Sequence, residues 1–508
     1  LKAASVPATR LQKAAVAAAP WICPQGGGPF PTGTMAQDAP HASAIERVVG
    51  AVDKGAPLVE AFREQGVPLP LQRKRSQRGP VLLMYTDLEA DDVVTTACLL
   101  QHMGSTPPVV VFACDTKGKD AGTIFAKKLT MATAALGEEF AKELLVVSGE
   151  GLAPPPDAYA SQRCNMEVAA ERTLERASAG QGLDLLIAVI APGWGNIAKL
   201  LAALRKRPDW EAVARRTEIT MYSGSFNIRG MTKEDAAALA EMTQVTGCKL
   251  QDNAHFIWTR KDVLPELRDM PSLMPDLDKM LAKENPHLLA AWRTFGTEFY
   301  AHLVDPRHKN LWAKDTALTD EERAAFDAAS ALYDAGDVVG YCKGILQHDA
   351  IFQKVAHYKR GSVRCFATGM LDGPLCDCLV FLTRWVEMHA PQLITFENSG
   401  AWDVDFEKGF TGIKQDGGLC PAVQPMIAAD PPRKAAKTLA NAVMDTLAVA
   451  ISLSEQGREA AQIRVRLAEI DTEAARLLAR LKVLQEEQVQ DAEAVSLAEL
   501  AAGFGEAM

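Results

Sequence analysis

Three aspartates follow a short apolar run near residue 81, and their spacing would suit a metal ion. The apolar run has the length of a strand, and Asp87, Asp91 and Asp92 come directly after it, ahead of a helix-like run at 93–100. Carboxylates this close together repel one another unless a cation lies among them. Their hard oxygen atoms suit Ca²⁺ or Mg²⁺. In the alternative interpretation Asp91 and Asp92 only cap the N-terminus of a helix, which leaves Asp87 unexplained.

Around this motif, apolar runs of strand length alternate with helix-like segments. Strands are predicted, with helices between them, at residues 81–87, 109–114, 144–148, 185–190 and 219–222. Buried strands separated by helices are typical of a mostly parallel central sheet covered by helices on both faces. We therefore predict an α/β fold. In such sheets ligands bind beyond the carboxyl ends of the strands, where Asp87 lies.

The composition excludes several classes of function. The chain has 508 residues and a net charge of −10, so no overall positive field attracts nucleic acid. No apolar run approaches the roughly 18 residues needed to span a membrane. The ten cysteines contain no C-x-x-C pair, which favours a reducing compartment over a disulfide framework or a zinc site. A phosphate-binding loop, a nucleophile elbow and an H-E-x-x-H helix are absent from the sequence.

The sequence pattern divides the chain into three parts. Residues 1–79 are predicted to form an N-terminal arm or linker, although 43–66 has the pattern of one or two amphipathic helices. Residues 1–37 contain no acidic side chain, which fits the remnant of a signal for the mitochondrion or another organelle matrix. A solvated tail on a cytoplasmic protein fits the same composition. The α/β domain is predicted at 80–455, and 456–508 forms the third part.

The third part carries a heptad pattern. With Ala460 at position a, apolar residues recur at positions a and d over about four heptads. The a positions are Ala460, Leu467, Ala474, Leu481 and Gln488, and the d positions are Ile463, Ile470, Leu477 and Leu484. This pattern predicts a coiled-coil helix that pairs with another copy or with another protein. The alternative is a long helix folded back on its own domain.

Several further segments occur in an order known from one enzyme family. They are Gly193 and Asn196 after the fourth strand, Met221-Tyr-Ser-Gly224, Leu250-Gln-Asp-Asn-Ala-His255, Gly373-Pro-Leu-Cys-Asp377 and Phe396-Glu397-x-x-Gly400. With the aspartate motif, they make residues 80–455 resemble the inosine–uridine-preferring nucleoside hydrolases. The resemblance implies a Rossmann-like fold and a Ca²⁺-dependent hydrolysis of the N-glycosidic bond of a ribonucleoside or a related ribosyl compound.

The resemblance also implies a metal-binding set. Asp87, Asp92 and Asp377 would supply carboxylate ligands, and Ala191 would supply its backbone carbonyl. Asp87 is in addition the candidate general base. Asp91 would bind the ribose 2′-hydroxyl.

At four places, which together hold five residues, the chain departs from the pattern of this family. Leu88-Glu89 replaces Pro-Gly, Lys119 replaces a sugar-binding Asn, Ser225 replaces a ribose-binding Glu, and Cys376 replaces a His. Lys119 and Ser225 remain candidate substrate-binding residues together with Asn227, which would contact the other side of the sugar. Cys376 remains a candidate catalytic residue, although a thiol is a poor proton donor to a leaving base.

These departures open an alternative function. The chain would then be a catalytically degraded protein with a hydrolase fold, acting as a structural subunit of a larger assembly through its terminal extensions. His348-Asp349 offers a second His-Asp pair, but its spacing to Glu397 is too long for the family pattern, so His348 is predicted to be a helix-end histidine.

Overall fold

The structure is a computed structural model. It describes residues 34–71, 80–103, 109–114, 121–148, 165–177, 185–190, 194–221, 232–246, 250–252, 277–296, 301, 304–308, 311–313, 316–368, 378–391, 394–397, 400–406, 410–414, 417–427 and 432–505. The described residues from Pro40 onward belong to one compact unit, which holds the whole of the central sheet.

The strands and helices alternate along the first half of the chain. The strands are β1 Val81–Thr86, β2 Val109–Cys114, β3 Leu144–Ser148, β4 Leu185–Val189, β5 Thr217–Met221, β6 Leu250–Asp252, β7 Ile394–Glu397, β8 Ala401–Asp405, β9 Phe410–Lys414 and β10 Cys420–Ile427. The helices up to β6 are α1 Thr34–Asp53, α2 Leu58–Glu64, α3 Ala90–Met103, α4 Ala121–Glu143, α5 Met166–Ala177, α6 Trp194–Arg205, α7 Trp210–Ala214 and α8 Lys233–Thr246.

The second half is mainly helical in the part that the structure describes. Its helices are α9 Leu277–Glu284, α10 Pro286–Ala291, α11 Asp320–Asp334, α12 Val338–Gln347, α13 Asp349–Lys354, α14 His357–Thr368, α15 Cys378–His389, α16 Pro432–Ile451 and α17 Glu455–Gly505. A π-helical turn, Trp292–Gly296, follows α10. Helices α11–α14 enclose a small core of their own around Tyr341 and Phe352.

The strands form one sheet in the order β3-β2-β1-β4-β5-β6-β10-β8-β9, and β7 also pairs with β10. Pairing is parallel from β3 to β10 and antiparallel among β7, β8, β9 and β10. The prediction of an α/β fold with a mostly parallel sheet is therefore confirmed. The five strands predicted in the first half all exist, with ends that differ by at most two residues.

Each face of the sheet contacts its own hydrophobic core. Side chains alternate along β1, so Leu82 and Met84 pack with α3, α4 and α16, while Leu83 and Tyr85 pack with α5 and α6 on the other face. All six residues of β1 are buried. Burial on both faces explains why this strand is a continuous apolar run instead of an alternating one.

Helices α1 and α2 contribute to the first of these cores. Ile45, Val48 and Phe62 are completely buried, and they belong to the same cluster as Leu82 of the central strand. The compact unit that begins at Pro40 thus includes most of two helices that the sequence pattern assigns to the N-terminal arm. Among the described residues, no helix is both long and apolar enough to cross a membrane.

Candidate metal centre

The order in which successive strands join the sheet reverses between β1 and β4. From β1 the chain adds β2 and β3 on one side, and then β4, β5 and β6 on the other. In open α/β sheets a reversal of this kind leaves a crevice at the carboxyl ends of the two central strands, where ligands bind. The aspartate motif lies at this end of β1, and residues 191–193 follow β4.

Hydrogen bonds join the ends of β1 and β4. The backbone N–H of Ile190 donates to the carbonyl of Tyr85 at 3.0 Å. In the first turns of α6, the side-chain amide of Asn196 donates to the hydroxyl of Tyr85 at 3.2 Å, and this contact is buried. Asn196, which belongs to the motif segment after β4, is thereby placed against the strand that carries the aspartates.

Three acidic side chains meet at the start of α3. One carboxylate oxygen from each of Glu89, Asp91 and Asp92 lies within 4.8 Å of the other two, and both aspartates are buried. Ca²⁺ binds oxygen ligands at about 2.3–2.6 Å, so two ligands of one ion lie at most about 5.2 Å apart. The spacing and the chemistry of this donor set therefore fit a Ca²⁺ ion. Its other ligands would come from residues outside the group.

Asp92 is fixed by two hydrogen bonds. Its Oδ1 accepts the hydroxyl proton of Thr86 at 2.7 Å, and its Oδ2 accepts the backbone N–H of Glu89 at 3.2 Å. The second bond satisfies a free N–H at the helix N-terminus, so the capping interpretation is correct for Asp92. Each carboxylate oxygen has a second lone pair, and capping therefore leaves Asp92 able to bind a cation.

The turn between β1 and α3 has an unusual backbone. Leu88 has a φ of 55°, a left-handed conformation, and among the described residues it is the non-glycine residue with a positive φ. Its N–H donates to the hydroxyl of Thr86 at 3.0 Å, and its side chain is fully buried in the core. Thr86 thus binds both Leu88 and Asp92 and holds the turn in the shape that brings the acidic side chains together.

A buried lysine lies beneath this turn. Lys128 of α4 is 2% exposed, and its ammonium group donates to the backbone carbonyl of Asp87 at 2.9 Å. A buried ammonium stabilises nearby negative charge, because the low local dielectric strengthens the attraction. Lys128 therefore supports both the shape of the turn and the charge of the acidic cluster.

The predicted site residues fall into two groups. Asp87, Asp91 and Asp92 lie on one short turn, and the side chain of Asp87 is buried but is not a member of the group within 4.8 Å. The other predicted site residues, Lys119, Ala191, Ser225, Asn227, Cys376 and Asp377, lie outside the described residues. Their roles, and those of Asp87, Asp91 and Asp92, stay predictions.

Sequence reasoning missed Glu89 and Lys128 as members of the site. In the sequence Glu89 stands out only as a departure from the family pattern, although its position two residues before Asp91 places it in the same turn. Lys128 lies three residues after Phe125, on the apolar face of α4. A single lysine in such a stripe is a recognisable signal, because an ammonium group is rarely buried without a partner.

At the opposite end of α3, His102 contacts His389, the last residue of α15. The rings of His102 and His389 are 5.1 Å apart, and His102 also makes an edge contact with Phe381. Burial, together with the positive charges of His389 and Arg384, lowers the pKa of His102 to about 3. Burial also lowers the pKa of His389, against the opposing effect of Glu469 on α17. His348 lies at the junction of α12 and α13, which confirms it as a helix-end histidine.

Comparison with known proteins gives similarity to solved structures only. No protein-family model matches the chain, and no curated protein matches it. An inosine–uridine-preferring nucleoside hydrolase from Bacillus anthracis shows 11% identity and a TM-score of 0.34, over 72% of this chain and 99% of its own. An inosine–guanosine nucleoside hydrolase shows 12% identity and a TM-score of 0.35, over 72% of this chain and 98% of its own. A plant nucleoside hydrolase shows 12% identity and a TM-score of 0.33, over 72% of this chain and 99% of its own. At these values the comparison assigns neither an activity nor a substrate to the chain.

Proposed function

We propose that the protein is a Ca²⁺-dependent hydrolase of the N-glycosidic bond in a ribonucleoside or a related ribosyl compound. The observation that carries this proposal is the cluster of Glu89, Asp91 and Asp92 at the topological switch point of the sheet. Three carboxylates in one turn, two of them buried, exceed what helix capping requires. The motif resemblance of residues 80–455 supplies the choice of substrate class.

The metal site in this proposal combines described and undescribed residues. Asp92 and Glu89 would bind Ca²⁺ from the turn after β1, and Asp87, Asp377 and the carbonyl of Ala191 would complete the set. A bound Ca²⁺ would supply Lewis-acid polarisation of a water molecule and of the ribose hydroxyls. Thr86 orients Asp92 for this task through their 2.7 Å hydrogen bond.

The remaining chemistry is assigned to side chains of the protein. Asp87 would accept the proton of the attacking water as general base, and Asp91 would accept a hydrogen bond from the ribose 2′-hydroxyl. Asn227, Lys119 and Ser225 would contact the substrate. Bond cleavage passes through a state with positive charge on the sugar ring, which the aspartates stabilise electrostatically.

The identity of the leaving-group acid is the open chemical question within this proposal. Cys376 occupies the position where the family pattern has a histidine. A thiol donates a proton poorly to a purine at neutral pH. We therefore expect faster turnover for substrates whose leaving group needs no protonation, and a nitrophenyl riboside is a suitable probe.

The test is a release assay on a panel of purine and pyrimidine ribonucleosides and nitrophenyl riboside, with Ca²⁺ present. We expect turnover with at least one substrate, and we expect Asp91→Asn and Asp377→Ala to reduce it by about 10²-fold or more. Asp327→Asn, on an exposed face of α11, is the matched control and is expected to keep full activity. No turnover from folded protein with Ca²⁺ bound would overturn the proposal.

A second candidate function is favoured by the C-terminal helix. The chain would be a structural subunit that keeps the hydrolase fold and its Ca²⁺ site without turnover. The observation that favours it is α17, which exposes a long apolar stripe to solvent. Ca²⁺ that raises the melting temperature in wild type but not in Asp92→Asn, with no turnover, would support this candidate instead.

A further inference from the structure

The C-terminal helix α17 is 51 residues long and exposes an apolar stripe. At 1.5 Å per residue it extends for about 76 Å. Its heptad residues from Ile463 to Leu484 are apolar at every a and d position. Six of them are between 49% and 61% exposed, namely Ile463, Leu467, Ile470, Leu477, Leu481 and Leu484. Large contiguous apolar stripes on a protein surface mark sites of association.

A different face of α17 contacts the rest of the protein. Ala461 is fully buried and packs with Ala448 and Val449 of α16, and Val465 joins the same cluster. Ala461 and Val465 are four positions apart and belong to positions b and f of the heptad. The first part of α17 thus folds back on its own domain, but through positions b and f, so the a and d stripe is left outside this contact.

The helix loses its contact with the domain beyond Thr472. Every residue from Glu473 to Val489 is exposed, so this half of α17 projects from the body. An isolated helix of this composition is marginally stable in water without a packing partner. The apolar stripe runs without interruption from the docked half to the projecting half, so a single partner helix would cover both.

We propose that the partner is a second copy of this chain, and that the two α17 helices form an antiparallel coiled coil. In this register Leu467 packs against Leu484 of the second copy. Ala474 packs against Leu477, and Ile470 packs against Leu481. Ala474, the small residue of the stripe, then faces a leucine and not a second alanine, which avoids an underfilled layer in the core. The pairing is symmetric, so each contact occurs twice.

The charges beside the stripe favour this orientation. The g positions carry Arg466, Glu473, Arg480 and Glu487, which alternate in sign. In an antiparallel pair g positions face g positions, and the same register brings Arg466 to Glu487 and Glu473 to Arg480. All four interchain pairs are attractive. Flanking charges of this kind set partner choice and orientation in coiled coils.

In a parallel coiled coil the same residues would stabilise the dimer less. There each g position faces the e position of the next heptad, so Arg466 meets Asp471, but Glu473 meets Leu478 and Arg480 meets Gln485. The parallel register also places Ala474 opposite Ala474, which leaves the core underfilled at that layer. The charge pattern and the core volumes thus agree on the antiparallel arrangement.

The first measurement is the mass of the full chain in solution, by sedimentation equilibrium at micromolar concentration. We expect twice the mass of one chain. The stripe is tested with Ile470→Asp combined with Leu477→Asp, which we expect to give monomers. Both residues are more than half exposed, so far-UV circular dichroism should show that the body remains folded. A monomeric wild type, or a dimer that survives this double change, would overturn the proposal.

Orientation is tested by charge reversal at the g positions. Glu473→Arg with Glu487→Arg makes every g position positive, and we expect at least a tenfold weaker dimer. Arg466→Glu with Arg480→Glu makes every g position negative, with the same expected loss. An equimolar mixture of the two variants should restore the dimer, because each g pair is then attractive. Glu486→Arg, at an exposed f position, is the matched control and should leave the dimer unchanged.

The outcomes separate the orientations. A parallel coiled coil would be insensitive to Glu473→Arg with Glu487→Arg, because those residues face Leu478 and Ala492 in that arrangement. A dimer that tolerates this variant would therefore overturn the antiparallel arrangement. Assembly is independent of catalysis, so a failed nucleosidase assay leaves this test unaffected.

Discussion

The turn after β1 and the projecting half of α17 differ in the exposure of the side chains to which we assign a function. In the turn, Asp92 is 1% exposed and accepts two hydrogen bonds from its own chain. On α17, the side chain of Leu477 is 57% exposed to solvent. Hydrogen bonds within the chain thus fix Asp92 of the acidic cluster in place, whereas the apolar stripe of α17 stays exposed and can be covered by a second molecule. Burial of polar groups and exposure of apolar groups are both costly, and each indicates a function.

The largest effect is expected from a pair of matched leucine truncations. Leu82→Ala, in the centre of β1, removes a fully buried side chain and should lower the free energy of unfolding by about 2–5 kcal/mol. Leu477→Ala, on the exposed stripe, should change the unfolding of the body by less than about 0.5 kcal/mol. Urea titration of dilute, monomeric protein measures both. Equal losses of unfolding free energy in the two variants would contradict the assignment of Leu82 to the core and of Leu477 to an exposed surface.

The next effect concerns the turn itself. Asp92→Ala leaves the Thr86 hydroxyl and the Glu89 N–H without their acceptor, and we expect a loss of about 2–4 kcal/mol. Asp92→Asn keeps one acceptor oxygen and should lose about half as much. Neither variant should gain stability from Ca²⁺. Thermal melts with and without Ca²⁺ measure this, and a normal Ca²⁺ response in Asp92→Ala would remove Asp92 from the metal site.

A third effect depends on pH and concerns His102, at the end of α3 that lies away from the acidic turn. The pKa of His102 is about 3 in the folded protein and 6.5 in the unfolded chain, so the unfolded chain takes up the proton first as the pH falls. The stability from His102 is present above pH 6.5 and decreases between 6.5 and 3. From pH 7 to 5.5 we expect a loss of about 1 kcal/mol. In His102→Gln this part of the pH dependence should disappear from urea titrations, and its persistence would exclude His102 as the cause.

The smallest effect concerns the ion pair that holds α17 on α16. The guanidinium of Arg464 donates from Nε to Asp445 at 3.1 Å, and both side chains are partly exposed. Arg464→Gln should therefore cost less than about 1 kcal/mol in urea titrations. It should also raise the pKa of Asp445, which burial already raises. A larger loss would mean that this ion pair, and not the packing of α17 against α16, holds the two helices together.

The parallel half of the sheet is predictable because burial alone determines its sequence. The predicted strands at 109–114 and 144–148 have the bounds that the structure shows, since each is a continuous apolar run. The antiparallel edge is harder to predict. Strand β10 contains Pro421 and Pro425, and prolines argue against a strand when only the local pattern is read. The pairing of this strand with distant segments is what stabilises it.

The site is predictable in its position but not in its full membership. Asp91 and Asp92 follow from carboxylate spacing and from the strand end. Glu89 joins them only because Leu88 takes a left-handed conformation and turns the chain back, which spacing does not reveal. Lys128 comes from a helix some 40 positions along the chain. Its role depends on tertiary packing, which a local motif does not encode.

Leu88 has a further consequence for how this turn tolerates mutation. A left-handed conformation costs an ordinary residue about 1–2 kcal/mol, whereas burial of a leucine side chain contributes about 1.5–3 kcal/mol. Glycine would relieve the first term and lose the second, and a β-branched residue would increase the first. Few replacements improve on leucine at this position. Few substitutions of Leu88 are therefore neutral for stability, because of packing and not because of catalysis. The shape of the turn would accordingly be retained even in a protein that had lost its catalytic role.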